Sequence, residues 1–142
     1  LHGMTATACA QVAYRTYTTL VEFEQGRSLV AAGALPQRLL WASTGTKDPA
    51  YRDTKYVEAL VGTDTIVTLP RKTLDAFRDH GKTDLTLERD VEAAEAHLKG
   101  LTRLGIDLEQ AAADLENDGI RLFEEAFDKL HTSLRQRLDS VP

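Results

Sequence analysis

Residues 36–51, PQRLLWASTGTKDPAY, concentrate more ligand chemistry than any other stretch of the chain. The apolar run Leu39, Leu40, Trp41, Ala42 leads straight into Ser43, Thr44, Gly45, Thr46, Lys47, Asp48 and Pro49. A strand whose C-terminal end opens into hydroxyls, a glycine and a cation is a common α/β seat for a phosphate or a sugar. Gly45 allows close backbone approach, the hydroxyls donate hydrogen bonds, and Lys47 supplies a compact positive charge. Ser43 and Lys47 are therefore the candidate binding pair. The residues alone fit a second reading as well, in which Ser43 is a loop hydroxyl and Lys47 a solvated charge. Thr44 and Thr46 fit turn capping better than ligand binding. Trp41 has a ring able to stack on a sugar, but inside an apolar strand it fits a core or barrel wall.

Other titratable residues offer less. His2, His80, His97 and His131 lack the short-spaced partners of a metal site, so no metal is expected. His80, in Arg78-Asp79-His80-Gly81, is accounted for as a cation at a helix C-terminus. Glu124, Glu125 and the other late acids fall outside the apolar stripes and read as a solvated face.

The elements around this loop follow from periodicity. Ala6, Ala10, Ala13, Tyr17, Leu20 and Val21 recur at three- and four-residue steps, predicting one helix over about 6–31 with Gly33 and Pro36 behind it. Residues 39–42 predict a strand buried on both faces. Asp53 is the expected N-cap of a short helix that turns Tyr56, Val57, Leu60 and Val61 inward and ends at Gly62. Residues 64–69 predict a second strand. Pro70 then opens a helix with Leu74 and Phe77 toward the core and Gly81 as terminator. Val91, Ala94, Leu98, Leu101 and Leu104 form a stripe broken by Gly105. Asp107 and Gln110 predict a capping box for a short helix. Ile120, Phe123, Phe127, Leu130, Leu134 and Leu138 make a final stripe. Two strands each followed by a helix amount to two βα units of a parallel barrel, with tail helices packed outside.

Composition narrows the class. A net charge of −5 with no basic cluster argues against a nucleic-acid surface. Cys9 is the only cysteine, which rules out an internal disulfide and suits a reducing compartment. No apolar run approaches the roughly 20 residues of a membrane-spanning helix. A cytoplasmic protein is expected, with neither membrane nor nucleic acid as partner.

The words of the sequence go further. WASTGTKDPAY, followed by TKYVEALVG and DTIVTLPRKTLDAFRDHG, closely resembles the C-terminal part of the bacterial transaldolases. The resemblance runs from near Leu1-His2-Gly3 through Val12-Ala13-Tyr14 to Gly119-Ile120-Arg121-Leu122-Phe123 and Phe127-Asp128-Lys129-Leu130. Two positions depart from it: Val67 stands where the family often has Asn, and Arg71 where it often has Glu. The family's phosphate site uses a Ser-x-Arg-type pattern. Ser43 matches the serine, position 45 is glycine, and Lys47 is the nearest cation, inferred as the substitute from its chemistry.

That resemblance implies an α/β fold, the C-terminal portion of a (β/α)8 TIM barrel. A complete barrel needs roughly 250 residues, and this chain has 142. The chain is expected to be one piece, 1–142, of a single barrel domain whose N-terminal part lies elsewhere. The implied reaction moves a dihydroxyacetone unit from sedoheptulose 7-phosphate to glyceraldehyde 3-phosphate in the pentose phosphate pathway, through a lysine Schiff base. It implies no metal and no dissociable cofactor, with sugar phosphates as partners. The family's Schiff-base lysine and acid–base carboxylates belong to earlier strands, and none of those motifs occurs here, so Ser43 and Lys47 bind and no catalytic residue is assigned. The alternatives are another Schiff-base aldolase on the same barrel and a non-catalytic helical interaction domain built on residues 86–138.

Overall fold

The computed structural model describes residues 2–140; Leu1, Val141 and Pro142, the ends of the expected domain, lie outside the described residues. The chain divides into two compact units, Leu1–Gly100 and Leu101–Pro142. In order come α1 (Thr5–Glu22), α2 (Glu24–Ala31), β1 (Leu40–Trp41), α3 (Lys55–Ala59), β2 (Ile66–Val67), α4 (Arg71–His80), α5 (Val91–Arg103) and α6 (Leu108–Asp139). The fold class is mixed α/β and rich in helix.

In the first unit β1 and β2 are parallel, pairing Leu40 with Ile66 and Trp41 with Val67. The ladder is closed by Ile66 N donating to Leu39 O and Thr68 N to Trp41 O, both at 2.9 Å. Helix α3 lies on the crossover between them, so β1–α3–β2 is a parallel βαβ connection. The strands are shorter than expected; Leu40 of β1 is exposed where a strand buried on both faces was expected, and Ile66 of β2 is exposed as well. A two-stranded sheet has two open edges and no neighbour to cover its outward side chains.

The expected single helix over 6–31 is two. Phe23 takes an extended conformation (φ −61°, ψ 154°) that ends α1 and starts α2. Gly26 makes the close return feasible, since a Cβ there would collide with the carbonyl oxygens of Leu20 and Val21. The buried face of α1 is also rotated from the expected one. Thr7, Ala8, Ala10 and Tyr14 are buried, whereas Ala6, Ala13 and Leu20 are exposed. Tyr14 decides that rotation: its ring joins Ala10, Leu60 and Leu87 in the core, against which Tyr17, Leu39, Trp41 and Tyr56 pack. Leu87, fully buried, comes from residues 81–90, which periodicity assigned to no element. Its burial contributes about 1.5–3 kcal/mol. The amides of Thr86 and Leu87 both donate to Val61 O at 3.0 Å, and Gly62 leaves room for the Leu87 side chain, 2.7 Å from where a Cβ would stand.

Two local expectations are corrected. Asp53 does not cap α3, whose N-cap is Thr54 without a side-chain bond; the Asp53 carboxylate is engaged by His80 instead. In α4, Thr73 is the buried residue and Leu74 is exposed. Pro70 and Gly81 flank that helix as its caps.

In the second unit Gly105 adopts φ +78°, a left-handed turn that closes α5, with Gly105 N bonded to Thr102 O and Ile106 N to Leu101 O. Asp107 then caps α6, its Oδ1 accepting from the amides of Glu109 (3.0 Å) and Gln110 (3.1 Å). The return half of the capping box is absent, because Gln110 donates forward to Asp114 at 2.8 Å. The expected short helix and final stripe are one continuous helix of 32 residues. Gly119 does not interrupt it, and Arg121 bridges Asp118 and Glu125 across the following turns.

Candidate functional site

The site begins where β1 ends. Ser43 holds φ +57°, a left-handed conformation that a non-glycine residue adopts at a cost of about 1–2 kcal/mol. Such strain at a strand end is a frequent mark of a positioned functional residue. The next residue anchors the turn: Thr44, 1% exposed, donates from its hydroxyl to Thr68 O at 2.7 Å. That bond ties the C-terminal ends of the two strands together, so Thr44 is structural. Gly45 follows against the start of α4, where a Cβ would stand 3.1 Å from the Pro70 ring. Asp48 closes the next turn by accepting from Ala50 N at 2.9 Å.

Ser43 and Lys47 line one cleft of about 460 Å³ with Thr7 and Ala10 of α1 and the aromatic residues Trp41, Tyr51 and Tyr56. The fold therefore brings the two sequence-predicted binding residues into a single concavity at the C-terminal ends of the strands. Lys47 is exposed, and among the described residues no acid pairs with it. A cation and a hydroxyl on a strand-end cleft, with no carboxylate neutralising the cation, suit a small anionic ligand. Trp41 is both wall and core, as its place in an apolar strand suggested.

Tyr51, Tyr56 and Lys55 were not singled out as site residues. Lys55 Nζ lies 3.2 Å from the centre of the Tyr51 ring and 5.4 Å from that of Tyr56, a cation–π contact that steadies both walls. The available signal was the four-residue spacing of Tyr51 and Lys55 at the entry to a helix.

The histidines are placed separately. His97 Nε2 is 3.0 Å from Thr5 Oγ1, and His131 stacks on Phe127 at 6.1 Å. His80 lies between two carboxylates, Asp53 Oδ1 at Nε2 and Asp79 Oδ2 at Nδ1, each 3.0 Å away. The bond to Asp53, and after it the bond to Asp79, raises the imidazole pKa; the His80 bond lowers that of Asp53.

A larger cavity, about 840 Å³, opens at the other end of the strand pair and is lined by Tyr14, Arg15, Arg38, Asp64 and Glu88 among others. Some of its polar groups answer one another, while Glu22, Arg38 and Asp64 have no side-chain partner among the described residues. The Tyr14 hydroxyl faces Thr63 O at 3.1 Å and Glu88 Oε1 at 3.0 Å, and Arg15 pairs with Glu92 and Glu95. Burial first, and the Glu88 contact second, raise the Tyr14 pKa and keep the phenol neutral. Size favours this cavity, but it sets Arg15 and Arg38 against three carboxylates, Glu22, Asp64 and Glu88. The smaller cleft sets Lys47 against Asp48 alone, so it opposes an anion less and is the better candidate.

The sequence profile of the Transaldolase/Fructose-6-phosphate aldolase family matches residues 2–134. The chain belongs to this family. A transaldolase of Neisseria gonorrhoeae (strain ATCC 700825 / FA 1090) is 47% identical over 130 residues, covering 92% of this chain and 37% of that protein. A transaldolase of Parafrankia sp. (strain EAN1pec) is 42% identical over 142 residues, 99% of this chain and 38% of that protein. Transaldolase 1 of Streptomyces coelicolor (strain ATCC BAA-471 / A3(2) / M145) is 41% identical over 141 residues, with 99% and 37% covered. The chain thus spans somewhat over a third of the length of these curated relatives. The matched region contains the whole cleft, including the strand end, the loop to Tyr51 and the aromatic walls. Among the described residues, no helix is long and apolar enough to cross a membrane.

Proposed function

We propose that this chain is the phosphate-binding, C-terminal part of a transaldolase barrel, in one domain with sequence beyond it. Its two βα units would occupy adjacent places in a (β/α)8 ring, where ligands are held at the C-terminal ends of the strands. The single observation that carries the reading is the convergence of Ser43 and Lys47 on one cleft at that end of the strand pair. Ser43 donates a neutral hydrogen bond to a phosphate oxygen, and Lys47 a charge-assisted one. The aromatic walls exclude water from the rest of the sugar phosphate. The whole enzyme would transfer a dihydroxyacetone unit from sedoheptulose 7-phosphate to glyceraldehyde 3-phosphate, in the cytoplasm, through an imine on a lysine outside this chain. Desolvation lowers the pKa of such a lysine enough to make it nucleophilic. Lys47, exposed on a polar loop, lacks that environment.

The test is steady-state kinetics of the full-length protein. Lys47→Ala removes a contact of the kind worth about 1.5–3 kcal/mol, so kcat/KM on a phosphorylated ketose should fall roughly 10- to 150-fold. Ser43→Ala should lose less. Both losses should shrink for the unphosphorylated ketose; equal losses on both substrates would reject the phosphate role. The family description admits a second chemistry, aldol cleavage of fructose 6-phosphate. Release of free dihydroxyacetone in the absence of an acceptor aldehyde would identify it.

A further inference from the structure

The loop that carries Ser43 and Lys47 is braced along its length by α4. Near its start, Gly45 lies against Pro70 and Thr73, at the N-terminal end of that helix. Near its end, Asp53 meets His80, the last residue of the same helix and 27 positions away in sequence. The second nitrogen of His80 is occupied by Asp79. A neutral imidazole has one N–H and can donate to only one of two carboxylates; holding both requires the doubly protonated ring. The surrounding charges do not replace it: Arg52 pairs with Glu58 of α3 at 3.1 Å, and Glu58 also accepts from the backbone amide of Lys82. Neither Arg52 nor Lys82 is bonded to Asp53.

We propose that protonated His80 is a latch that holds the far end of loop 43–54 on α4. Losing the proton weakens that hold, because the neutral ring donates to only one of the two carboxylates, and so makes the cleft's geometry sensitive to pH. The consequence for ligand binding rests on the phosphate reading above; the latch itself does not. The sign follows from the two groups. His80 is raised above its ordinary 6.5, so its contribution is complete below 6.5 and disappears as pH rises through the higher folded value. Asp53 is lowered from 3.8, so its contribution is complete above 3.8 and disappears as pH falls through the lower folded value. The latch is closed between these limits.

Nuclear magnetic resonance on the isotopically labelled chain tests it. His80 should titrate above 6.5, and Asp53→Asn should move it down by more than Asp79→Asn does. Amide protection factors over residues 48–54 should fall by up to about fivefold as His80 deprotonates, in line with an exposed pair. They should stay independent of that titration in His80→Gln and in Asp53→Asn. The Thr68 region, tied by Thr44, should not respond in any variant. His80 titrating at or below 6.5, or loop protection that ignores its titration, overturns the latch. Sulfate, dianionic throughout this range, serves as the anion probe. If it leaves the amides of Ser43 and Lys47 unshifted while loop protection still follows His80, the phosphate reading fails and the latch stands.

Discussion

The two ends of the parallel strand pair differ in a way that size alone misreports. Before the strands, Arg38 and Asp64 open onto the larger cavity, where Tyr14, Glu88, Arg15 and the acids of α5 satisfy one another. After the strands, Ser43 and Lys47 open onto a cleft of about half that volume. Each end carries a cation unpaired among the described residues, Arg38 or Lys47, and a left-handed residue, Asp64 at φ +55° or Ser43 at φ +57°. Groups that already have partners hold a fold together. Groups held in place without partners are available to a ligand. The first end is tied into the core through Tyr14, whereas the second presents together the hydroxyl and the cation proposed as the phosphate seat.

The largest expected effect probes the first end. Tyr14, 4% exposed, fills the core beside Leu60 and Leu87, so Tyr14→Ala should destabilise the first unit by about 3–5 kcal/mol in urea unfolding. A loss below about 1 kcal/mol would mean that this end is a loosely packed opening rather than a core. Next comes the tie between the strands. Thr44→Val keeps the shape but leaves Thr68 O without its side-chain donor, at a cost of about 1–3 kcal/mol by the same measurement. If the change is neutral, the strand ends are held by the ladder alone.

The smallest effect separates binding from stability most sharply. Ser43→Gly relieves a left-handed strain of about 1–2 kcal/mol and gives back part of that as glycine's lost chain entropy. The fold should gain about 0.5–1 kcal/mol, while the full-length enzyme loses affinity for phosphorylated substrate. Parallel changes in both quantities would place the serine on the structural side of the comparison.

Much of this architecture was legible in advance because it is written in short range. The apolar run into a polar loop marked β1 and its strand-end turn, Pro70 and Gly81 bracketed α4, and Asp107 identified the start of α6. Each signal depends on residues a few positions apart, where sterics and hydrogen-bonding capacity already select the conformation. The family was legible because the resemblance runs over nearly the whole chain, as do the match to residues 2–134 and the 47% identity to a transaldolase over 130 residues.

What required the tertiary structure depended on partners distant in the chain. Periodicity marked α1 as amphipathic, yet the direction of its buried face was set by Tyr14 reaching Thr63 and Glu88, 49 and 74 positions away. Asp53 looked like a helix cap until His80 stood 3.0 Å from it, and Leu87 looked like loop until Val61 and Gly62 made its pocket. The break at Phe23 belongs to the same class, since a helical pattern continues through it and only the packing of Gly26 on the preceding turn shows the chain folding back. By itself, the sequence determined roughly where helices, strands and the polar loop lie, though not the break at Phe23 or the unbroken run of α6, because backbone preferences are local. The tertiary structure decided which side chains meet, because burial and ion pairing are settled only when distant segments share one volume.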